Sequence, residues 1–218
     1  TDPNKKDTDD DGYWDSWEVD EGTDPLDYES RIYTGFWPYN PTKDEMVDPG
    51  WNSPEVSPSA GSLVPRFEML DQHGEMVDIY DYAQGEQHIV LDFSTVWCPP
   101  CNSIAGWLSG KEEDVAIWDP MYPTVAGKVH DQRIHWVTIL AEDNNYNSPA
   151  PEVAVEWAAN YPDEFIPVLL DQDKVPANKF VTFGWPTLMI LSPEMEVVYY
   201  PNQANPWGTL EMIDLHLE

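Results

Sequence analysis

The sequence predicts a mixed α/β fold in which helices cover both faces of one sheet. From residue 62 onward, short apolar runs typical of buried strands alternate with segments of helical pattern. Near the C-terminus, two apolar runs are separated only by a turn at Ser192-Pro193-Glu194, as in an antiparallel pair. A sheet of parallel strands connected through helices, with an antiparallel pair added, accommodates both patterns.

The elements follow from local signals in chain order. The predicted strands cover residues 67–70, 76–79, 88–93, 134–140, 165–170, 187–191 and 197–200. The predicted helices begin at residue 99 and then cover 112–118, 121–129, 151–160, 175–180 and 211–216. The first two strands flank the turn residues Asp71-Gln72-His73-Gly74, and Tyr161-Pro162 ends the helix over 151–160.

Composition divides the chain into three predicted regions. Residues 1–30 hold 12 acidic residues and two lysines, and they have too few aliphatic residues to fold on a hydrophobic core alone. Residues 31–61 are rich in proline, glycine and aromatic residues, which predicts an irregular strap lying on the main domain through Trp37 and Trp51. Residues 62–218 form the α/β domain.

The charge of the chain restricts its partners. Its 218 residues include 10 Lys+Arg and 41 Asp+Glu, for a net charge of −31. Such a field repels nucleic acids and anionic membrane surfaces and favours cations and basic proteins. No apolar run reaches the ~18 residues that a membrane-spanning helix requires. We therefore expect neither a nucleic-acid partner nor a transmembrane segment in this chain.

The only two cysteines lie in Trp97-Cys98-Pro99-Pro100-Cys101, between a predicted strand and a predicted helix. A helix N-terminus stabilises a thiolate, so Cys98 is expected to be exposed and acidic and Cys101 to lie one turn further in. Proline suits the first helical turn. A bridge across so short a loop restrains little chain entropy, which favours a chemical role. A zinc site would need a second pair of ligands, and the spacing of the cysteines and histidines offers none.

Two other residues fit redox chemistry. Asp92 lies in an apolar strand six positions before Cys98, where a buried carboxyl with a raised pKa could accept the proton of Cys101. The alternative is an aspartate at the strand edge that points to water. Pro186 enters a predicted strand, and a cis bond there would expose the backbone of Trp185 to a substrate strand.

From residue 62 to about 207 the sequence resembles the thioredoxin fold in its extracytoplasmic TlpA-like (redoxin) branch. The resemblance rests on Val64-Pro65-Arg66-Phe67, Leu91-Asp92-Phe93, the Trp-Cys-x-x-Cys motif, Phe165-Ile166-Pro167-Val168-Leu169-Leu170-Asp171 and Gly184-Trp185-Pro186-Thr187. It implies that Cys98 is the nucleophile, Cys101 the resolving thiol, Pro186 a cis-proline and Asp92 the buried acid. Substrate contacts are expected at Trp97, Pro99, Pro100 and Trp185. Trp185 departs from the smaller residue usual in the family, which implies a substrate groove that is narrower or differently lined, and Ser94-Thr95-Val96 replaces the usual aromatic–Ala pair.

The expected activity is that of an extracytoplasmic thiol–disulfide oxidoreductase acting on protein thiols and disulfides, with a redox-active Cys98–Cys101 disulfide. A reductase is favoured, because the motif has no Lys or Arg and the −31 charge disfavours another negative charge. Two alternatives stay open. Thr95-Val96-Trp97-Cys98 matches the Thr-x-x-Cys spacing of redoxin peroxidases, and a static bridge would suit a non-catalytic surface interaction module. The location is expected to be periplasm, cell surface or exterior, with a targeting sequence outside this chain.

The acidic N-terminal region has the spacing of a calcium loop. Residues 7–18 satisfy D-x-D-x-D-G-x5-E, which converges oxygen ligands on one hard cation. The predicted ligands are Asp7, Asp9, Asp11, the Tyr13 carbonyl, Asp15 (through a water) and Glu18. The alternative is a solvated acidic tail. With Gly22-Thr23-Asp24-Pro25 following, residues 1–30 resemble one bacterial thrombospondin type 3 repeat, which implies a calcium-stabilised extracellular spacer.

Overall fold

The computed structural model describes residues 1–9, 13–21, 23–28, 30, 32–83, 85–201 and 206–217. The strands are β1 (Glu68–Leu70), β2 (Met76–Asp78), β3 (His88–Ser94), β4 (Ile134–Leu140), β5 (Val168–Leu170), β6 (Thr187–Leu191) and β7 (Val197–Tyr199). The α-helices are α1 (Asp15–Glu21), α2 (Pro99–Leu108), α3 (Glu112–Trp118), α4 (Val125–His130), α5 (Pro151–Asn160), α6 (Val175–Phe180) and α7 (Trp207–His216). Short 3-10 helices cover Lys43–Glu45 and Ile79–Tyr82.

The seven strands form one mixed sheet in the order β2-β1-β5-β4-β3-β6-β7. Strands β3, β4 and β5 are parallel, and the remaining pairings are antiparallel. The fold class predicted from the alternation of strands and helices is therefore confirmed. Because β3, β4 and β5 run the same way, their carboxyl ends meet at one edge of the sheet, where the loops that follow them lie side by side.

Alternating residues of the central strands bury both faces of the sheet. In β3, Leu91 and Phe93 contact a core that includes Phe180 of α6 and residues of the strap. Val90 points to the other face and belongs to a second core with Ile104 of α2, which also includes residues of α3, α4 and α7. Apolar residues on both faces explain why β3 and β4 are nearly continuous hydrophobic runs.

Three element boundaries differ from the sequence prediction by more than one residue. Strand β5 begins at Val168 and not at residue 165, because Pro167 has no backbone donor and the Asp163 carboxylate holds the Phe165 amide at 2.8 Å. Helix α4 begins at Val125, beyond Pro123, and not at residue 121. Helix α7 begins at Trp207, four residues earlier than predicted.

Trp37 and Trp51 of the 31–61 region pack on the α/β domain. Trp37 is buried, and its indole nitrogen donates a 2.8 Å hydrogen bond to the Asp71 carboxylate. Trp51 is half-buried between Phe67 and Phe180, with ring centroids 5.9 and 6.0 Å away. Each ring covers apolar surface that the sheet would otherwise expose.

A buried carboxylate also connects this region to the domain. Asp81 is fully buried and accepts hydrogen bonds from the Tyr33 hydroxyl at 2.6 Å and the Lys43 ammonium at 2.8 Å. The Asn40 amide donates a third, at 3.0 Å. A buried charge is stable only when it is paired and hydrogen-bonded, so these contacts hold the 31–61 region in one position.

Within the described residues, no helix has both the length and the apolar character needed to cross a membrane.

Candidate active site

The two cysteines form a disulfide at the N-terminus of α2, at the edge where the parallel strands end. Cys98 is the N-cap residue and Cys101 lies in the first turn, with their Cα atoms 5.3 Å apart. The Cys101 backbone amide donates to Cys98 Sγ at 3.3 Å. This amide and the positive end of the helix dipole would stabilise negative charge on the Cys98 sulfur after reduction.

The expectation that Cys98 is exposed is wrong for this disulfide state. Cys98 is only 2% exposed, and Cys101 is fully buried. The half-buried rings of Trp97 and Trp185 pack against the apolar cluster that contains both cysteines. Apolar side chains from several elements, Trp185 among them, pack on this cluster and bury the two cysteines. Pro99 and Pro100, also expected to contact substrate, are exposed on the first turn of α2.

The Trp97 ring is held by residues that do not belong to the sequence motifs. Its indole nitrogen donates to Glu142 Oε2 at 3.0 Å, and Lys174 donates to Glu142 Oε1 at 2.9 Å. The Tyr146 ring lies 5.0 Å from that of Trp97. Glu142 and Tyr146 follow β4, and Lys174 follows β5, so the parallel topology brings these residues to Trp97. No local sequence pattern connects them with the cysteines.

Asn102 anchors the cysteine motif to the neighbouring helix. Its amide nitrogen donates to the carbonyls of Val96 at 3.0 Å and Cys98 at 2.8 Å. Its carbonyl oxygen accepts from the Tyr161 hydroxyl at 2.8 Å. The amide nitrogen therefore holds the backbone around Cys98, and the carbonyl oxygen connects it to Tyr161, directly after α5. In the sequence, only the position directly after Cys101 indicates that Asn102 belongs to the site.

Asp92 is buried in the centre of β3 on the face against which α2 packs. It is 1% exposed, and the Ser94 hydroxyl donates to its Oδ1 at 2.6 Å. Thr138 of the adjacent strand lies 3.5 Å from Oδ2. Burial raises the pKa of Asp92 to about 6, with the hydrogen bond from Ser94 opposing the shift. The alternative of an aspartate pointing to water is wrong, because both faces of β3 are covered.

The loop before β6 lies beside the disulfide. The Trp185–Pro186 peptide bond is cis, as the resemblance implies, and Pro186 is buried. Thr187 pairs with Phe93, which places the loop next to the segment that connects β3 to Cys98. The backbone around residue 185 is therefore close to the cysteines, where the sequence analysis expected it.

Thr95, the residue of the peroxidase-like spacing, is fully buried. Its hydroxyl makes no hydrogen bond, so it does not contact the Cys98 sulfur in this state. A hydroxyl that is to orient a peroxide must reach the reacting sulfur.

The proposed calcium ligands are only partly described. Asp11 lies outside the described residues. Among the residues that the structure describes, no three Asp, Glu, His or Cys side chains come together as a metal site. Thr8 donates from its amide and hydroxyl to the Asp15 carboxylate, both at 2.7 Å, and closes the loop on itself. Glu18 is fully buried, and the oxygen-rich donor set suits a hard cation.

Comparisons with known proteins identify the fold. No family model matches the chain, and no curated protein matches it significantly. Among solved structures, it is similar to a thioredoxin-like protein from Bacteroides caccae, with a TM-score of 0.53 and 13% identity over 73% of this chain and 50% of that chain. A putative protein disulfide isomerase from Bacteroides thetaiotaomicron matches with a TM-score of 0.50 and 14% identity, over 73% of this chain and 90% of that one.

A conserved, uncharacterized protein from Geobacillus kaustophilus matches equally well, with a TM-score of 0.50 and 19% identity over 73% of this chain and 80% of that chain. Identities this low establish the fold alone. The α/β domain has a thioredoxin-like fold, as the sequence motifs implied.

The burial of Asp92 predicts a pH-dependent stability effect. The folded-state pKa of the Asp92 carboxyl is raised to about 6. Its ionisation therefore lowers the free energy of unfolding as the pH rises above the unfolded-state pKa. The decrease is complete once the pH exceeds the folded-state pKa. Asp92→Asn removes this cost and keeps an oxygen for Ser94. We expect the oxidised variant to be more stable than wild type at pH 7.5 by on the order of 1–3 kcal/mol, with little difference at pH 4.

Urea unfolding at both pH values measures this effect. Glu113→Gln, which removes an exposed carboxylate from α3, is the matched control and should change little at either pH. Equal stability of Asp92→Asn and wild type at pH 7.5 would show that the carboxyl is not destabilised by burial.

Proposed function

We propose that the protein is a thiol–disulfide oxidoreductase in which Cys98 is the nucleophile and Cys101 the resolving thiol. The observation that supports this most strongly is the disulfide at the start of α2, with the Cys101 amide directed at the Cys98 sulfur. The cis peptide bond before Pro186 and the buried Asp92 lie beside the same helix end. The B. thetaiotaomicron neighbour is itself described as a putative disulfide isomerase.

The exchange proceeds in two steps. In the reduced protein, the Cys98 thiolate attacks one sulfur of a substrate disulfide and forms a mixed disulfide, while the second substrate sulfur leaves as a thiolate and takes up a proton. Cys101 then loses its proton and attacks the Cys98 sulfur. This attack releases the substrate's remaining thiol and forms the Cys98–Cys101 disulfide. Two electrons pass to the substrate, and an external dithiol must return them before the next cycle.

Asp92 serves the second step. A carboxyl with a pKa of about 6 is mostly ionised at neutral pH and is a better proton acceptor than an ordinary aspartate. It lies on the sheet face covered by α2, the helix that contains Cys101, and is therefore the proposed acceptor of the thiol proton. Asn102 and Ser94 support this step by fixing the motif backbone and the carboxylate.

We further propose that the protein works as a reductase outside the cytoplasm. The Lys174 charge is paired with Glu142 and is not free to stabilise a Cys98 thiolate. With a net charge of −31, the protein gives the thiolate less support than a strongly oxidising site requires. A loop of the thrombospondin type 3 kind suits surroundings rich in calcium, which is consistent with an extracytoplasmic location.

A static bridge is the second candidate, and one observation favours it. Cys98 is 2% exposed, so a substrate disulfide cannot reach its sulfur unless Trp97 or Trp185 moves. In that case the protein would be a non-catalytic interaction module whose cysteines only staple the start of α2.

Substitution of each cysteine separates the two candidates. Cys98→Ser should abolish insulin reduction, because the attacking sulfur is lost. Cys101→Ser should retain the first attack and accumulate a mixed disulfide at Cys98, visible as a mass increase on non-reducing electrophoresis. Activity of Cys98→Ser equal to that of wild type would reject the oxidoreductase. Consumption of peroxide by the reduced protein, without insulin reduction, would indicate a peroxidase.

We also propose that residues 7–18 bind one calcium ion through Asp7, Asp9, Asp11, the Tyr13 carbonyl, Asp15 and Glu18. Four or more carboxylates in one short loop repel each other, and a divalent cation relieves this repulsion. The closed arrangement of Thr8 with Asp15 and the burial of the Glu18 side chain support the proposal.

Calcium should order the N-terminal region. We expect binding with a Kd on the order of 10⁻⁴–10⁻³ M and weaker binding of magnesium, measured by calorimetry. Glu18→Gln should weaken calcium binding by at least about tenfold, because it removes the bidentate ligand that closes the loop. Glu113→Gln should bind calcium like wild type. Absence of a binding signal in the wild-type protein would reject the calcium site.

A further inference from the structure

A cavity of about 390 Å³ lies between the β1–β2 hairpin, the end of β5 and the start of α6. Its size is within the range of small-ligand pockets. Most of its wall is apolar, formed by Trp51, Phe67, Leu70, Met76, Val175 and Pro176. None of these residues has a part in the disulfide exchange.

One end of the cavity is acidic. Asp171, Asp173 and Glu68 line it, and no Lys, Arg or His is among the described residues of its wall. Asp171 is fully buried, and its Oδ2 accepts the Ala177 amide at 2.8 Å. Its Oδ1 is equally buried and has no hydrogen-bond donor.

A buried carboxylate with an unpaired oxygen is unfavourable as an anion, so either a proton or a nearby cation stabilises it. Burial raises the pKa of Asp171, and the nearby exposed Asp173 carboxylate raises it as well. Together these effects bring the pKa of Asp171 to about 7. The nearest lysine along the chain, Lys174, donates to Glu142, and within the described residues no salt bridge involves Asp171 or Asp173.

The cavity opens at the same edge of the sheet as the disulfide. Ser94, Leu140 and Leu170 lie in adjacent register on β3, β4 and β5, and the Asp171 amide donates to the Leu140 carbonyl. Two strand spacings, roughly 10 Å, therefore separate the end of β3 from the end of β5. A substrate protein whose disulfide binds at Cys98 is large enough to reach from the end of β3 to the end of β5.

We propose that this cavity is a substrate subsite for a lysine side chain, with the aliphatic stem along the apolar wall and the ammonium at the exposed Asp173 carboxylate, next to the buried Asp171. As a substrate subsite it rests on the proposed oxidoreductase function. Its role as a binding site for a primary alkylammonium group does not depend on that function. The net charge of −31 attracts basic partner proteins, and the subsite orients one of their cationic side chains relative to the disulfide.

Ligand binding without redox chemistry tests the site itself. Pentylammonium, titrated into the oxidised full chain and followed by amide NMR shifts, should perturb residues 171–173 and the Met76 region. Pentanol, the neutral isostere, should bind more weakly. Asp173→Asn should weaken pentylammonium binding by about 3- to 5-fold, since it removes one exposed charge and keeps the acceptor for the Val175 amide. Glu113→Gln should not. Equal binding of the ammonium and the alcohol would overturn the proposal.

Turnover of matched peptides tests the subsite role. Two disulfide peptides that differ only by lysine or norleucine near the disulfide should be reduced with different kcat/KM, the lysine peptide being favoured by about 3-fold or more. Asp173→Asn should abolish the preference, and Glu113→Gln should retain it. If neither peptide is reduced, the oxidoreductase proposal fails while the ammonium titration still decides the site. If both are reduced equally by wild type, the subsite proposal fails alone.

Discussion

The placement of Cys98 at the N-terminus of α2 is the constraint on which the rest of the account depends. Strand β3 delivers the chain to the carboxyl edge of the sheet, and the helix that follows directs a backbone amide at the Cys98 sulfur. Asn102 holds the carbonyls of the motif, so the helix start cannot shift without breaking three hydrogen bonds. The sulfur therefore sits in a fixed electrostatic environment that favours its ionised form on reduction.

The two cysteines at this helix start have surroundings of different polarity. The helix that contains Cys101 packs on the sheet face where Asp92 is buried, and burial raises the pKa of Asp92 to about 6. Cys98 lies beneath aromatic rings, and Trp97 is fixed by Glu142 and Lys174 from two other loops. In the proposed exchange, access to the disulfide requires these rings to move, and the ring of Trp97 is held by residues of the loops after β4 and β5.

The sequence was sufficient to predict the mixed sheet, the position of the cysteines at a helix start and the burial of Asp92, since each leaves a local pattern of apolar spacing or turn residues. It was insufficient for Glu142, Lys174, Asn102 and Asp171. These residues act through contacts between distant loops that only the parallel register of β3, β4 and β5 brings together. The burial of Cys98 was mispredicted for the same reason, because it depends on where the Trp185 loop folds.

The relative reactivity of the two thiols tests the central claim most directly. The reduced protein is alkylated with iodoacetamide at pH 7, and the modified peptides are quantified by mass spectrometry over time. A thiolate stabilised at the helix start should make Cys98 react faster than Cys101 by about tenfold or more. Equal rates, or faster alkylation of Cys101, would contradict the account, because the helix start would then confer no reactivity on the first sulfur.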